Sequence, residues 1–227
     1  MIEGIYAITP SGLDENRLLE SAEAVLEAGV ATLQLREKGL AHDLWIQRAQ
    51  SLANLCAKYG ALFVLNDAPA DVLSVLVQQG ELDEAHFAVH VGRDDLSIAQ
   101  LKGLLGERVR VGVSCYNDWS LAEQATAEGA LYVAFGAVYP SSTKPLAVQA
   151  PLSLFGQARA NAYNSVAIGG IGLGHLRALA EAGADAVAVI SGLFGASGPT
   201  EDLLEPEQIG SEASRWIEEF ETWRSRA

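Results

Sequence analysis

Three features of the 227-residue sequence predict an α/β protein built as a single (β/α)8 TIM barrel. Short aliphatic runs recur along the chain, amphipathic segments separate them, and polar residues collect just after the runs. In order, the runs at 4–8, 31–35, 62–65, 87–91, 109–113, 131–135, 166–168 and 186–190 read as strands. Between them, Trp45, Ala49, Leu52, Cys56 and Tyr59 recur at helical spacing. The same spacing in Ile209, Ala213, Trp216, Phe220 and Trp223 predicts a C-terminal amphipathic helix at about 205–226. The acidic stretch from Glu201 reads as a solvated loop leading into that helix. Eight strands with intervening helices favour a closed barrel over an open doubly wound sheet. No linker or low-complexity tract interrupts the series, so residues 1–227 are expected to form one domain.

Composition narrows the partners. The chain carries 15 Lys+Arg against 29 Asp+Glu, a formal net charge of −14, and is 49% hydrophobic. That apolar content excludes intrinsic disorder. The acidity leaves no general footprint for nucleic acid or an anionic membrane, so small molecules are the expected partners. The opening MIEGIYAITP lacks a basic segment followed by an apolar one, and no apolar run reaches membrane-span length. Cys56 and Cys115 form neither a zinc pattern nor a disulfide framework. A cytoplasmic location is expected, and assembly into a homo-oligomer is left open.

In (β/α)8 barrels the chemistry sits where strands end. Strand alternation in Thr32-Leu-Gln-Leu-Arg-Glu-Lys38 puts Thr32, Gln34 and Arg36 on one face and Leu33 and Leu35 on the other. Arg36 and Lys38 suit an anion clamp, a bidentate guanidinium beside a mobile ammonium; the plainer alternative is a structural arginine paired with a carboxylate. Asn66-Asp67 and Asp95 close the third and fourth strands. Either aspartate could be a helix N-cap, but two on adjacent strand ends also suit magnesium, which takes one or two protein carboxylates beside water and substrate phosphate. A magnesium-bound diphosphate is the simplest species that uses both signs of charge.

The long loop 136–145 contains Ser141, Ser142, Thr143 and Lys144, a set suited to phosphate. Val166-Ala-Ile-Gly-Gly-Ile-Gly-Leu-Gly174 superficially matches a dinucleotide fingerprint, but His175 stands where the third glycine counted from Gly170 should be. A glycine-lined phosphate site fits better, with Ser191 after the eighth strand closing it, although the glycines could instead only serve tight turns. Cys115 and Ser114 have no histidine placed in sequence to activate them, which argues against a nucleophile. His90, inside an apolar strand, reads as a satisfied core or rim histidine.

The ordered set Gln34-Leu-Arg-Glu-Lys38, Asn66-Asp67, His90-Val-Gly-Arg-Asp-Asp95, Gly112-Val-Ser114, Pro140-Ser-Ser-Thr-Lys144, Ala167-Ile-Gly-Gly-Ile171 and Val189-Ile-Ser191 resembles the thiamine phosphate synthase family. The likeness runs from about Ile5 to Ala196. It implies a (β/α)8 transferase that joins a hydroxymethylpyrimidine diphosphate to a thiazole phosphate with Mg2+. By position, Asp67 and Asp95 match the magnesium ligands. Gln34, Leu35, Arg36, Glu37, Lys38, Asn66, Ser114 and Lys144 match the pyrimidine-diphosphate site, with Arg36, Lys38, Ser114 and Lys144 as catalytic candidates. Ser141, Ser142, Thr143, Gly170, Ile190 and Ser191 match the thiazole-phosphate site. Departures are Ala68-Pro69 after the first aspartate, an apparent insertion at 78–86, Ser141 where Thr is usual and Asp94 in place of Glu. A thiazole tautomerase of the same superfamily uses a histidine two residues after the position of Ser114; here that residue is Tyr116. That tautomerase and a non-catalytic phosphometabolite-binding barrel are the alternatives.

Overall fold

The computed structural model describes residues 1–37, 39–80, 86–140, 148–195 and 203–226. Lys38, the loop residues Ser141, Ser142, Thr143 and Lys144, most of the apparent insertion and the start of the acidic stretch lie outside them.

Strands β1 (Gly4–Ile8), β2 (Thr32–Arg36), β3 (Leu62–Asn66), β4 (Phe87–Val91), β5 (Val111–Tyr116), β6 (Tyr132–Gly136), β7 (Ser165–Ile168) and β8 (Ala186–Val189) close into a barrel in sequence order. Each pairs parallel with the next, and β8 returns to β1 through Gly4↔Ala186 to Ala7↔Val189. The helices are α1 (Glu15–Glu27), α2 (His42–Tyr59), α3 (Ala70–Gln78), α4 (Ile98–Leu105), α5 (Trp119–Ala127), α6 (Ser153–Ala160), α7 (Leu176–Ala182), α8 (Ser191–Phe194) and α9 (Pro206–Arg224).

Local chemistry starts several of these helices. The Asp14 carboxylate accepts the Arg17 N–H at the head of α1, and Ser97 with Gln100 forms a reciprocal capping box on α4. Pro206 opens α9, where a missing N–H costs nothing.

Strand alternation produces two cores. Leu33, Leu35, Phe63, Leu65, Val89 and Phe135 point outward and pack with the helices. Tyr6, Ile8, Val64, Ala88, Tyr132, Ala134, Val166, Ala186 and Ala188 fill the barrel itself. The alanines leave room for two tyrosine rings. Helix α9 lays Ile209, Ala213, Trp216 and Phe220 inward and packs against α1, α7 and β1. No described helix is long and apolar enough to cross a membrane.

The strand ends differ from the sequence reading where they bear on the site. β2 and β3 run one residue further than expected, so Arg36 and Asn66 belong to the strands. The fifth strand, expected at 109–113, starts later because the Val109 N–H closes a turn onto the Gly106 carbonyl at 3.2 Å. It also continues through Ser114 to Tyr116, with a register irregularity against β6 between those two residues.

Candidate active site

The C-terminal strand ends form one mouth, and most of the described candidates meet there. Arg36 is half-buried at the end of β2; its N–H donates to Thr9 Oγ1 at 3.3 Å and its carbonyl accepts from Ser11 Oγ at 3.0 Å. Among the described residues nothing bonds its guanidinium, which is left available to an anion. Asn66 is 8% exposed and lies level with Arg36 across the β2–β3 pair.

Asp67 follows directly, exposed, with a φ of 60°. A non-glycine residue in this left-handed region stores roughly 1 kcal/mol or more, less for Asp than for most residues. The turn places Asp67 directly after β3 at the rim and clear of the start of α3, whose N-cap is Pro69. Asp95 is exposed one strand further round; its Oδ2 accepts the Gly92 N–H at 2.6 Å, leaving the other oxygen free among the described partners. Neither aspartate caps a helix: α4 is capped by Ser97. Two exposed carboxylates on adjacent strand ends, both hard oxygen donors, fit a divalent cation completed by water and substrate oxygens. No described cluster of three or more His, Cys, Asp or Glu could hold a metal ion, so the two carboxylates would supply only part of its ligand shell.

Two binding candidates turn away from the mouth. Leu35 is fully buried in the outer core, as strand alternation requires, so only its backbone faces the rim. Glu37 is 3% exposed, and its Oε1 accepts from Arg48 Nη1 at 2.6 Å while the Gly12 N–H reaches both carboxylate oxygens at 3.1 and 3.3 Å. Arg48 also donates to the Leu13 carbonyl and lies 3.4 Å from Glu15. This cluster ties the loop after β1 to Glu37, the residue directly after Arg36 at the end of β2. It is the carboxylate-paired arginine considered for Arg36, realised instead at Arg48, which sequence spacing hides inside α2.

On β5, Ser114 Oγ lies 2.8 Å from His90 Nε2, and His90 Nδ1 lies 2.9 Å from the Tyr132 hydroxyl. Sequence spacing places no histidine near Ser114, yet the fourth and fifth strands are neighbours and bring one to it. The pair is not a nucleophile and its base. Burial pushes the His90 imidazole down to about 4, against the opposing pull of Asp95, and a phenol rather than a carboxylate occupies its Nδ1. Cys115 is inert: burial, helped by the Asp118 charge, pushes its thiol up to about 12. Tyr116, with φ 55°, accepts the Arg93 N–H at 3.2 Å, and the Arg93 guanidinium lies 5.0 Å from its ring centroid.

Across the mouth, Gly169 and Gly170 have φ of 101° and 63°. A Cβ on Gly169 would come within 2.8 Å of Ala137, and one on Gly170 would overlap the carbonyls of Tyr139 and Pro140. These glycines let the chain after β7 lie against the chain after β6, joined by Val138 N–H to Ile168 O and Tyr139 N–H to Gly169 O, each 3.0 Å. Tyr139 stacks on His175 with centroids 3.8 Å apart, and His175 Nδ1 accepts the Gly172 N–H at 3.0 Å. Ile190 packs on the barrel interior, and Ser191 is exposed at the start of the short α8.

A barrel of this topology, with arginine, aspartates, serine and a glycine turn at the strand ends of one mouth, has the layout of an enzyme that takes small-molecule substrates. The sequence profile of thiamine monophosphate synthase matches residues 5–193. A thiamine-phosphate synthase of Chromobacterium violaceum is 49% identical over 197 residues, covering 86% of this chain and 90% of that protein. One from Azoarcus sp. is 47% identical over 205 residues, covering 89% and 95%. Among solved structures, a thiamine phosphate pyrophosphorylase from Pyrococcus furiosus superposes with a TM-score of 0.72 at 27% identity, covering 94% of this chain and 96% of that one. The chain belongs to the thiamine monophosphate synthase family, and as such it is a transferase.

Proposed function

We propose that this chain joins 4-amino-5-hydroxymethyl-2-methylpyrimidine diphosphate to 4-methyl-5-(2-phosphoethyl)thiazole, giving thiamine phosphate and diphosphate. The observation that carries the reading is the unpartnered Arg36 guanidinium beside the exposed carboxylates of Asp67 and Asp95, in a chain 49% identical to a named synthase. Both signs of charge are needed where a metal-bound diphosphate leaves.

The reaction is a dissociative substitution: diphosphate departs, the aminopyrimidine stabilises the resulting cation, and the thiazole nitrogen attacks it. No protein nucleophile is required, in keeping with the inert Cys115 and the weakly basic His90. Asp67 and Asp95 would hold a magnesium ion, which when bound supplies charge stabilisation to the leaving diphosphate. Arg36, with Lys38 and Lys144, binds the diphosphate oxygens, and Ser114 donates a hydrogen bond to the same group. Gln34 and Asn66 line the pyrimidine side. Glu37 and Leu35 act through the backbone they position. Ser141, Ser142, Thr143, Gly170, Ile190 and Ser191 receive the thiazole phosphate. Tyr116, a phenol where the related tautomerase carries an imidazole, favours the synthase over that enzyme.

The test is an end-point assay of the purified protein with both substrates and magnesium, products separated by chromatography, repeated with excess chelator. Thiamine phosphate formed with magnesium and lost with chelator is expected. No product from a preparation that still binds thiazole phosphate by calorimetry would overturn the assignment.

A further inference from the structure

We propose that Tyr6, Tyr132 and His90 are positioning residues: a one-way hydrogen-bond chain from Gln34 fixes His90 as its Nε2–H tautomer and leaves the Ser114 hydroxyl proton free for an anionic oxygen of bound substrate. The identity of that oxygen rests on the transfer reaction proposed above; the polarity of the chain does not.

The chain crosses the barrel interior in five side chains. Gln34 Nε2 donates to Tyr6 Oη at 2.6 Å, and Tyr6 Oη lies 2.9 Å from Tyr132 Oη. Tyr132 Oη lies 2.9 Å from His90 Nδ1, and His90 Nε2 lies 2.8 Å from Ser114 Oγ. Both tyrosines are 1% exposed, so their protons have no solvent to turn to. Burial holds both phenols well above their ordinary range and the imidazole well below its own, so all three rings are neutral near pH 7.

Counting protons then decides the direction. Gln34 spends an amide N–H on Tyr6, so the single Tyr6 proton is free for Tyr132. The Tyr132 proton in turn goes to His90 Nδ1, and a neutral imidazole that accepts at Nδ1 donates at Nε2. Ser114 Oγ accepts that bond, and its own proton is left unspent on any described partner. In the opposite sense Tyr6 would accept from both Gln34 and Tyr132, and its proton would be stranded in the barrel.

The sequence is shaped to allow this geometry. Gly112 sits between His90 and Tyr132 in register, and a Cβ there would overlap the Tyr132 ring. The missing side chain lets that ring reach across β5 to His90, on which it stacks at a 15° interplanar angle. None of the three rings is needed to fill charge at the mouth; what they add is a donor aimed before substrate arrives, the kind of preorganisation that assists a leaving anion.

The experiment is long-range proton–nitrogen NMR on the full chain labelled with 15N-histidine, with the His90 signals assigned by their loss in His90→Gln. At neutral pH the expected spectrum shows an unprotonated Nδ1 and a protonated Nε2. An Nδ1–H form or an imidazolium would overturn the proposal. In Tyr132→Phe, and less strongly in Tyr6→Phe, His90 should become a tautomer mixture; an unchanged pure tautomer in both would also overturn it. Kinetically, Tyr132→Phe should lower kcat about tenfold with KM little changed, the low end of what outer partners of a site group cost. In a Ser114→Ala background the same change should cost nothing more, and an additive loss would contradict action through Ser114. Should Tyr132→Phe fail to fold, the wild-type tautomer and Tyr6→Phe carry the test. The tautomer needs no turnover, so its outcome stands apart from that of the synthase assay.

Discussion

At the ends of β2, β3 and β4 the mouth is lined by side chains that end in charge, Arg36, Asp67 and Asp95, all exposed or half-buried with free valence. At the ends of β6 and β7 it is lined by backbone, with Gly169 and Gly170 pressed against the Ala137–Pro140 segment. The first half can follow a change in charge on a substrate, because its groups are not already spent on protein partners. The second is fixed in shape and suits a phosphate that is held but not broken. Activity should therefore be separable from fold on the charged side and inseparable from it on the glycine side.

The largest effect should come from beneath the charged half. Arg48→Ala leaves the buried Glu37 and the half-buried Glu15 without their cation and should cost about 3–5 kcal/mol, read by chemical denaturation. A loss under 1 kcal/mol would show that the cluster does not hold the segment after β2. Next, Asp67→Asn should lower kcat/KM about 10²–10³-fold with a melting temperature close to wild type, since its carboxylate has no described partner to lose. Equal activity of this variant and wild type would remove Asp67 from the metal site.

The barrel interior beneath both halves contributes a pH dependence. The folded His90 value near 4 lies below the roughly 6.5 of a free imidazole, so between these values the unfolded chain binds the extra proton. Stability from this group is complete above about pH 6.5 and falls as pH drops towards 4, by up to about 3 kcal/mol. Denaturation midpoints across that window should show the slope in wild type and a flatter one in His90→Gln. On the glycine side, Gly170→Ala should cost about 1–3 kcal/mol and weaken thiazole-phosphate binding together, because the added methyl meets backbone carbonyls. Smallest of all, Cys115→Ala should leave turnover within about twofold, its buried thiol taking no part in the chemistry.

Much of this molecule was legible from strand periodicity. Apolar runs and helical spacing define the barrel, and the alternation of Gln34 and Arg36 against Leu33 and Leu35 correctly separates interior from exterior. Three features were hidden for physical reasons. The Arg48–Glu37 pair joins a helix to a loop, so no local spacing announces it. His90 and Ser114 meet because parallel neighbours set side chains level across strands far apart in sequence. Tyr6 and Tyr132 look like core aromatics, and only the closed barrel brings their hydroxyls together. One signal was available: tyrosine and histidine on inward-facing strand positions must find polar partners.

The division between the two halves is tested most directly by calorimetric binding of thiazole phosphate to wild type, Asp67→Asn and Gly170→Ala. Affinity close to wild type for Asp67→Asn, with weakened binding for Gly170→Ala, is the predicted result. Equal weakening in both variants would contradict it, showing that charge and backbone serve one phosphate together rather than two apart.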